Sequence, residues 1–352
     1  MKIQVLPGDG IGPEIVAATL AVLKAADARF GLGLDYAFEE IGLAALAKQG
    51  TTLPEGVLER ARGCDGVLLG PISHNAYPPR EAGGINVSAA FRKELDLYAN
   101  LRPARTRAGL PALHGAFDLV IVRENSEGFY PDRNLAQGVG EFMPVDGVAL
   151  SLRRITEAAS RRIARRAFEL ARERRGKVTA VHKANAFRLT DGLFLRCVRE
   201  VAADFPEVAL DEVIVDAMAA LLVREPARFD VVVTTNLFGD ILSDLASELS
   251  GSLGLAGSLN AGDALAAAQA QHGSAPDLAG QDRANPASLI LSAAMMLDWL
   301  GRRHERASFR TAAAAIEAAV DRCLADPARR TGDLGGPLGT RAFAAAVAEA
   351  VG

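Results

Sequence analysis

Two aspartates, Asp240 and Asp244, stand four residues apart in NLFGDILSDLASELSGSLG (236–254). On a helix they project from one face. There they repel each other unless a cation lies between them, and hard carboxylate oxygens suit Mg²⁺ or Mn²⁺. The alternative is a solvated acidic face; against it stand the apolar neighbours Leu237, Phe238, Ile241, Leu242 and Leu245, a costly setting for unpaired charge. Lys183 ends the apolar run of VTAVHK, and Asp216 ends EVIVD. Strand ends are where α/β proteins gather ligands and proton-transfer groups, although a lysine reaching out to water looks the same in sequence. Arg92, Arg102 and Arg123 offer guanidinium forks for a ligand with several carboxylates. Ion pairs with Glu94, Asp96 or Glu124 are the simpler use of the same residues.

Two glycine-bearing loops add to this set. Gly8-Asp9-Gly10-Ile11-Gly12 lies between an apolar run and a helical pattern. It lacks the third glycine of a GxGxxG dinucleotide fingerprint, and Asp9 brings negative charge towards any phosphate. A tight strand-to-helix turn is the favoured reading. HGSAPDLAGQDRANP (272–286) is a small-residue loop running into a helix, where backbone N–H groups are open to close approach. Asp277 within it suits ribose hydroxyls and repels a 2′-phosphate.

These residues need a frame. The runs 2–7, 66–70, 118–124, 177–183, 212–216 and 230–236 read as short strands buried on both faces. Helical patterns cover 12–28, opening at Gly12-Pro13, then 150–174, 286–302 and 308–324. Strands alternating with helices predict an α/β fold. Segments 71–87 and about 254–285 carry turn chemistry throughout, and long loops of that kind are candidate walls of a cleft.

Composition narrows the class. With 352 residues, 49% hydrophobic, the chain has ample core for more than one lobe, and disorder is excluded. A net charge of −4 spread over both signs advertises neither nucleic acid nor an anionic membrane as partner. Three scattered cysteines make no disulfide framework or zinc spacing. No run of apolar residues is long enough to span a bilayer, and the N-terminal turn is no signal peptide. A reduced, cytoplasmic protein is expected.

In order along the chain, LPGDGIGPE, RKELDLYANLRP, VRENSEGFY, VHKAN, VDAMA, NLFGDILSDLASELSGSLG and HGSAPDLAGQDRANP closely resemble the β-decarboxylating dehydrogenases, the isocitrate and 3-isopropylmalate dehydrogenase family. The resemblance implies a two-lobed α/β fold with a mixed central sheet flanked by helices, and not a Rossmann fold. A large, cofactor-binding lobe is expected from 1–98 plus 253–352. A small lobe from 99–252 is expected to carry the dimer interface and the metal and acid/base residues. By motif, Arg92, Arg102 and Arg123 bind the malate carboxylates, with Asn86 and Ser88 also at the substrate. Tyr130 and Lys183 are the acid/base pair, and Asp216, Asp240 and Asp244 hold Mg²⁺ or Mn²⁺. Lys183 and Asp216 come from the partner of a homodimer. His272, Gly273, Ser274, Ala275, Pro276, Asp277 and Asn285 contact the dinucleotide. NADP-using relatives tend to carry Lys-Tyr where this chain has Asp277-Leu278, so NAD is expected. All the residues of this chemistry are present, which argues against a non-catalytic regulatory subunit.

Relatives differ in the group on C3 of the malate. Isopropylmalate enzymes place leucines three and four residues before the first substrate arginine, where this chain has Ala89 and Ser88. Isocitrate enzymes carry a serine at the position of Asn86 and an asparagine at that of Ser88. Isocitrate or homoisocitrate is therefore expected first, 3-isopropylmalate second, and tartrate or D-malate third. Arg80 either meets a distal carboxylate, as homoisocitrate requires, or faces solvent.

Overall fold

The computed structural model describes residues 1–130, 132, 134–135 and 138–352. The apolar run of β1 (Lys2–Leu6) passes through the Gly8–Gly12 turn into α1 (Gly12–Phe30), with Pro13 in its first turn and Gly31 closing it at φ +63°. β2 (Asp35–Phe38), α2 (Gly42–Gln49), α3 (Val57–Arg62) and β3 (Gly66–Leu69) follow. Segment 71–87 makes two short 3₁₀ turns, His74–Ala76 and Arg80–Ala82, before α4 (Val87–Glu94). Next come β4 (Ala99–Arg105), β5 (Asp118–Glu124), β6 (Glu141–Val145), β7 (Val148–Ser151), α5 (Glu157–Arg172), β8 (Lys177–His182) and α6 (Thr190–Ala202). They lead to β9 (Ala209–Ile214), α7 (Val215–Arg224), β10 (Val231–Thr234) and α8 (Asn236–Leu249). β11 (Leu259–Ala261), β12 (Ala266–Gln269), α9 (Ala287–Arg303), α10 (Ala307–Ala325) and α11 (Thr340–Val351) complete the chain.

The residues divide into two compact units. One comprises Met1–Leu97, Arg107–Ala112 and Gly251–Gly352. Its strands run in the order β2-β1-β3-β12-β11, parallel except for the antiparallel pair β11/β12. α9, α10, α11 and α1 pack together over it, and Leu6, Val67, Leu69, Phe91 and Ala267 belong to its core. The other unit comprises Tyr98–Thr106 and Leu113–Ser250. Its strand order is β4-β5-β10-β8-β9, with β4 antiparallel to β5 and the rest parallel. α8 packs on β4 and β5, and Ile121, Val181, Val232, Leu242 and Ala246 fill the core behind it. Both units are mixed α/β, as expected.

Three local expectations differ. The helix read over 150–174 begins only at Glu157, because residues 148–151 pair with 141–145 as a hairpin and Thr156 caps α5 by accepting the Ala159 N–H at 3.2 Å. Leu152 is left exposed. The strand read at 212–216 ends at Ile214, so Asp216 lies in the first turn of α7. β9 is also not buried on both faces: it is the strand beyond β8, and only Val213 of its six residues is buried.

Candidate active site

Arg102 on β4 stands opposite Ile121 on β5, and Asn100 stands opposite Arg123. With a side-chain period of two, both arginines therefore point to the same face of the strand pair, the one covered by α8. Both are buried, Arg123 to 1% exposure. Such burial of guanidinium is tolerable only with partners, and α8 supplies them. Nη1 of Arg102 donates to Asp240 Oδ1 (3.1 Å), Ser243 Oγ (2.7 Å) and Asp244 Oδ1 (3.2 Å). Arg123 donates through Nε to Asn236 Oδ1 (2.9 Å), through Nη1 to Asp240, and through Nη2 to the Tyr130 hydroxyl (2.9 Å). That hydroxyl donates in turn to Asp240 Oδ2 at 3.0 Å. Two cations, two carboxylates and a phenol thus share one network. Burial, with Arg123 alongside, pushes the Arg102 guanidinium down to about 10 against the pull of the aspartates.

Lys183 follows directly after β8, and its amine is ion-paired with Asp216 on α7. The same contact holds the exposed Asp216 carboxyl below its ordinary range. The Lys183 backbone N–H is fixed by Asp191 Oδ2 at 2.7 Å.

In the other unit, α4 carries the remaining substrate candidates. Asn86 is its N-cap, accepting the Ala89 N–H at 3.0 Å. Ser88 and the half-buried Arg92 lie one turn apart on one face. Ser88 Oγ accepts the Gln269 side-chain amide at 2.7 Å from the end of β12. Arg80 is exposed.

The Gly8–Gly12 turn is structural. Asp9, buried, accepts the Leu43 N–H (2.7 Å), the Ser73 N–H (2.9 Å) and the Tyr77 hydroxyl (2.6 Å). Ile11 N–H donates to Ser274 O at 2.8 Å, and Ser73 and Ser274 hydroxyls meet at 2.7 Å. A β-carbon at Gly10 would collide with the Ser274 carbonyl, which is why glycine stands there. The N-terminal turn therefore backs the 272–277 loop.

That loop has marks of a ligand clamp. His272 Nδ1 meets Gly273 O at 2.9 Å, while its buried Nε2 has no hydrogen-bond partner. Ala275 is held in the left-handed region at φ +36°, a strained position for a side chain-bearing residue. The Asp277 side chain is exposed, and Gly273 and Pro276 beside it are open too. Asn285 is buried: it donates to Asp333 Oδ2 (3.0 Å) and accepts the Ala287 N–H (3.0 Å). These features fit a dinucleotide. For a metal, the fit lies in the donor set of α8: two carboxylates on one helix face that both reach the Arg102 guanidinium. Among the described residues of one chain no three His, Cys, Asp or Glu side chains gather as a metal site.

Sequence reasoning missed Asn236, Ser243, Gln269 and Asp333. Asn236 and Ser243 lie within the α8 motif and could have been flagged by their i, i+4 and i, i+3 spacing from Asp240. Gln269 and Asp333 carry no local signal, because their partners are 181 and 48 residues away.

The profile of the family described as "Isocitrate/isopropylmalate dehydrogenase" matches residues 2–351. An isocitrate/homoisocitrate dehydrogenase of Thermus thermophilus is 45% identical over 352 residues, covering 99% of this chain and 98% of that protein. A 3-isopropylmalate dehydrogenase of Archaeoglobus fulgidus is 43% identical over 348 residues, with 99% and 98% covered. The crystal structure of isocitrate dehydrogenase from Methylococcus capsulatus superposes with a TM-score of 0.88 at 42% identity, covering 99% of each chain.

Proposed function

Because the chain belongs to the isocitrate/isopropylmalate dehydrogenase family, we propose that it is an NAD-linked, divalent-metal-dependent oxidative decarboxylase of a 3-substituted (2R)-malate, isocitrate or homoisocitrate. The observation that carries this reading is the α8 network, in which Arg102 spans Asp240 and Asp244 while Arg123 holds Tyr130. The side chains we assign to carboxylate binding, metal binding and proton delivery share one set of contacts, which supports this reading.

Arg92, Arg102 and Arg123 bind the substrate carboxylates, Arg102 and Arg123 turning from their aspartate partners to do so. Asp240 and Asp244, with Asp216 from a second copy of the chain, hold Mg²⁺ or Mn²⁺. His272 to Asp277 and Asn285 hold NAD. When bound, the metal would supply Lewis acidity and NAD would supply the acceptor for the C2 hydride. Lys183 of the second copy receives the hydroxyl proton. The 2-keto acid so formed loses the carboxylate on C3 as CO₂, and Tyr130 delivers a proton to C3. The Arg123 guanidinium holds the Tyr130 phenol oxygen at 2.9 Å. Residues of the β6/β7 hairpin support a second copy of the chain as partner: Phe142, Met143, Val145, Val148 and Leu150 are all exposed apolar side chains. The absence of a candidate membrane-spanning helix among the described residues is compatible with a cytoplasmic enzyme.

The small, polar Ser88 favours an oxygen-bearing C3 group over isopropyl, so 3-isopropylmalate is the second reading and tartrate or D-malate the third. The test is NADH formation with Mg²⁺ on isocitrate, homoisocitrate, 3-isopropylmalate, D-malate and tartrate, each repeated with NADP⁺ and with EDTA. EDTA-sensitive, NAD-dependent turnover of isocitrate or homoisocitrate is expected. Turnover insensitive to EDTA, or none on any acid, overturns the proposal.

A further inference from the structure

Arg153 is a cation in an apolar setting. Its side chain is 6% exposed and its guanidinium carbon lies 5.4, 5.2 and 5.2 Å from the ring centres of Phe129, Phe187 and Phe238. Three aromatic faces attract the charge and leave little room for water. Its remaining contacts are polar. Nη1 pairs with Asp191 Oδ1 at 2.6 Å and donates to Thr190 Oγ1 at 3.2 Å, and Nη2 donates to Thr235 Oγ1 at 3.0 Å.

Each contact leads to an element that carries a reactive group. Asp191 is fully buried, and its second oxygen takes the backbone N–H of Lys183. Phe187 belongs to the same turn, its N–H bonded to Lys183 O at 2.8 Å. Thr235 is the N-cap residue of α8, and Phe238 stands two residues before Asp240. Phe129 precedes Tyr130. The backbone of Arg153 is clamped on both sides: Leu152 N–H donates to Gly140 O at 2.7 Å, closing the hairpin, and Arg154 pairs with Gly128. One planar fork therefore ties the Lys183 turn, the start of the aspartate helix and the Tyr130 segment to the base of the hairpin.

We propose that Arg153 is a positioning residue that sets α8 and Tyr130 for the site of its own copy and Lys183 for the site of the second copy, without touching the substrate. This rests on the function proposed above. A point charge does not replace it. The ammonium of a lysine keeps the ion pair with Asp191 but cannot also span to Thr235 or lie flat against three rings.

The test uses two variants of the full chain. Arg153→Lys keeps the charge on Asp191 paired; the double variant R153M/D191N removes both charges, so that no buried carboxylate is stranded. Hydrogen exchange of residues 183–190 and 235–240 is measured first, because it needs no turnover. Both segments are expected to exchange at least about tenfold faster in each variant, with β1 and β3 unchanged. On the best acid of the panel, kcat is expected to fall about 30- to 100-fold, the size of effect that an ångström of misplacement brings. KM should stay within about threefold and thermal midpoints close to the parent. Exchange unchanged in both segments, or kcat within about threefold of the parent, overturns the inference. Silence of the parent enzyme on every acid overturns the proposed function instead, and the exchange result still decides the role of Arg153.

Discussion

Gly239 lies directly against Arg123: a β-carbon at position 239 would stand 2.6 Å from Arg123 Cγ and 2.7 Å from its Cβ. The glycine lets α8 come close enough to β5 for Asp240, one residue on, to reach the Arg123 guanidinium. Gly239→Ala is expected to push the helix away and cost about 1–3 kcal/mol of stability. Moving Asp240 and Asp244 with the helix, away from the strand arginines, should lower kcat/KM by at least about a hundredfold. Urea unfolding and steady-state kinetics measure the two effects. Full activity with the alanine in place means that the network tolerates a shifted helix.

Asp9 holds the 71–77 loop from below. Asp9→Asn preserves one acceptor for Leu43, but its amide nitrogen then faces the N–H of Ser73, and donor meets donor. A loss of about 1–3 kcal/mol is expected. Because Ser73 is bonded to Ser274, the KM for NAD should rise more than the KM for the acid. An equal rise in both would place the damage elsewhere.

Under the proposed function, Asp277 is expected to govern the choice of nucleotide. Its exposed carboxylate repels a 2′-phosphate, and D277K/L278Y replaces repulsion with a charged donor worth about 1.5–3 kcal/mol. The ratio of kcat/KM for NADP⁺ over NAD⁺ is expected to rise at least about tenfold. An unchanged ratio would mean that the ribose lies away from this side chain.

Glu127 gives stability a pH dependence of its own. Burial pushes its carboxyl up to about 7 from 4.5, opposed by the Thr156 N–H at 2.7 Å. The folded protein therefore keeps its proton over a range where the unfolded chain has lost it. The contribution is fully present below pH 4.5 and is lost as pH rises to about 7, an effect on the order of 3 kcal/mol. Glu127→Gln keeps the acceptor without the charge. Relative to the parent, it should be more stable at pH 8 and gain nothing at pH 4. Parallel stability curves across that range would show that the carboxyl ionises normally in the folded state.

Much of this was legible in the chain. The four-residue spacing put Asp240 and Asp244 on one helix face, and the apolar runs placed β1, β3, β5, β8 and β10. What the spacing left open was which cation would lie between the aspartates. In the structure it is Arg102, from a strand more than 130 residues earlier. That strand, β4, carries a proline, β11 is only three residues long and β12 is mostly alanine, so their existence comes from tertiary pairing and not from local preference. The start of α5 was misplaced because amphipathic spacing continues through Leu152 and Ile155, while hairpin pairing and the Thr156 cap decide the boundary. The N-terminal glycines were rightly read as a turn, but nothing nearby in sequence announced that their neighbour would be Ser274.

The pairing of β3 with β12 joins residues 67–69 to residues 267–269. During synthesis, residues 113–250 emerge before β12 exists, so the second unit is complete while β3, paired with β1 on one side, still lacks its neighbour on the other. At about 5–20 residues per second the stretch from the end of β3 to the end of β12 takes roughly 10–40 s to appear. For that interval β3 exposes an unpaired, wholly apolar edge. Ribosome-bound chains stopped near residue 250 are thus expected to aggregate through this edge and to need a chaperone to cover it.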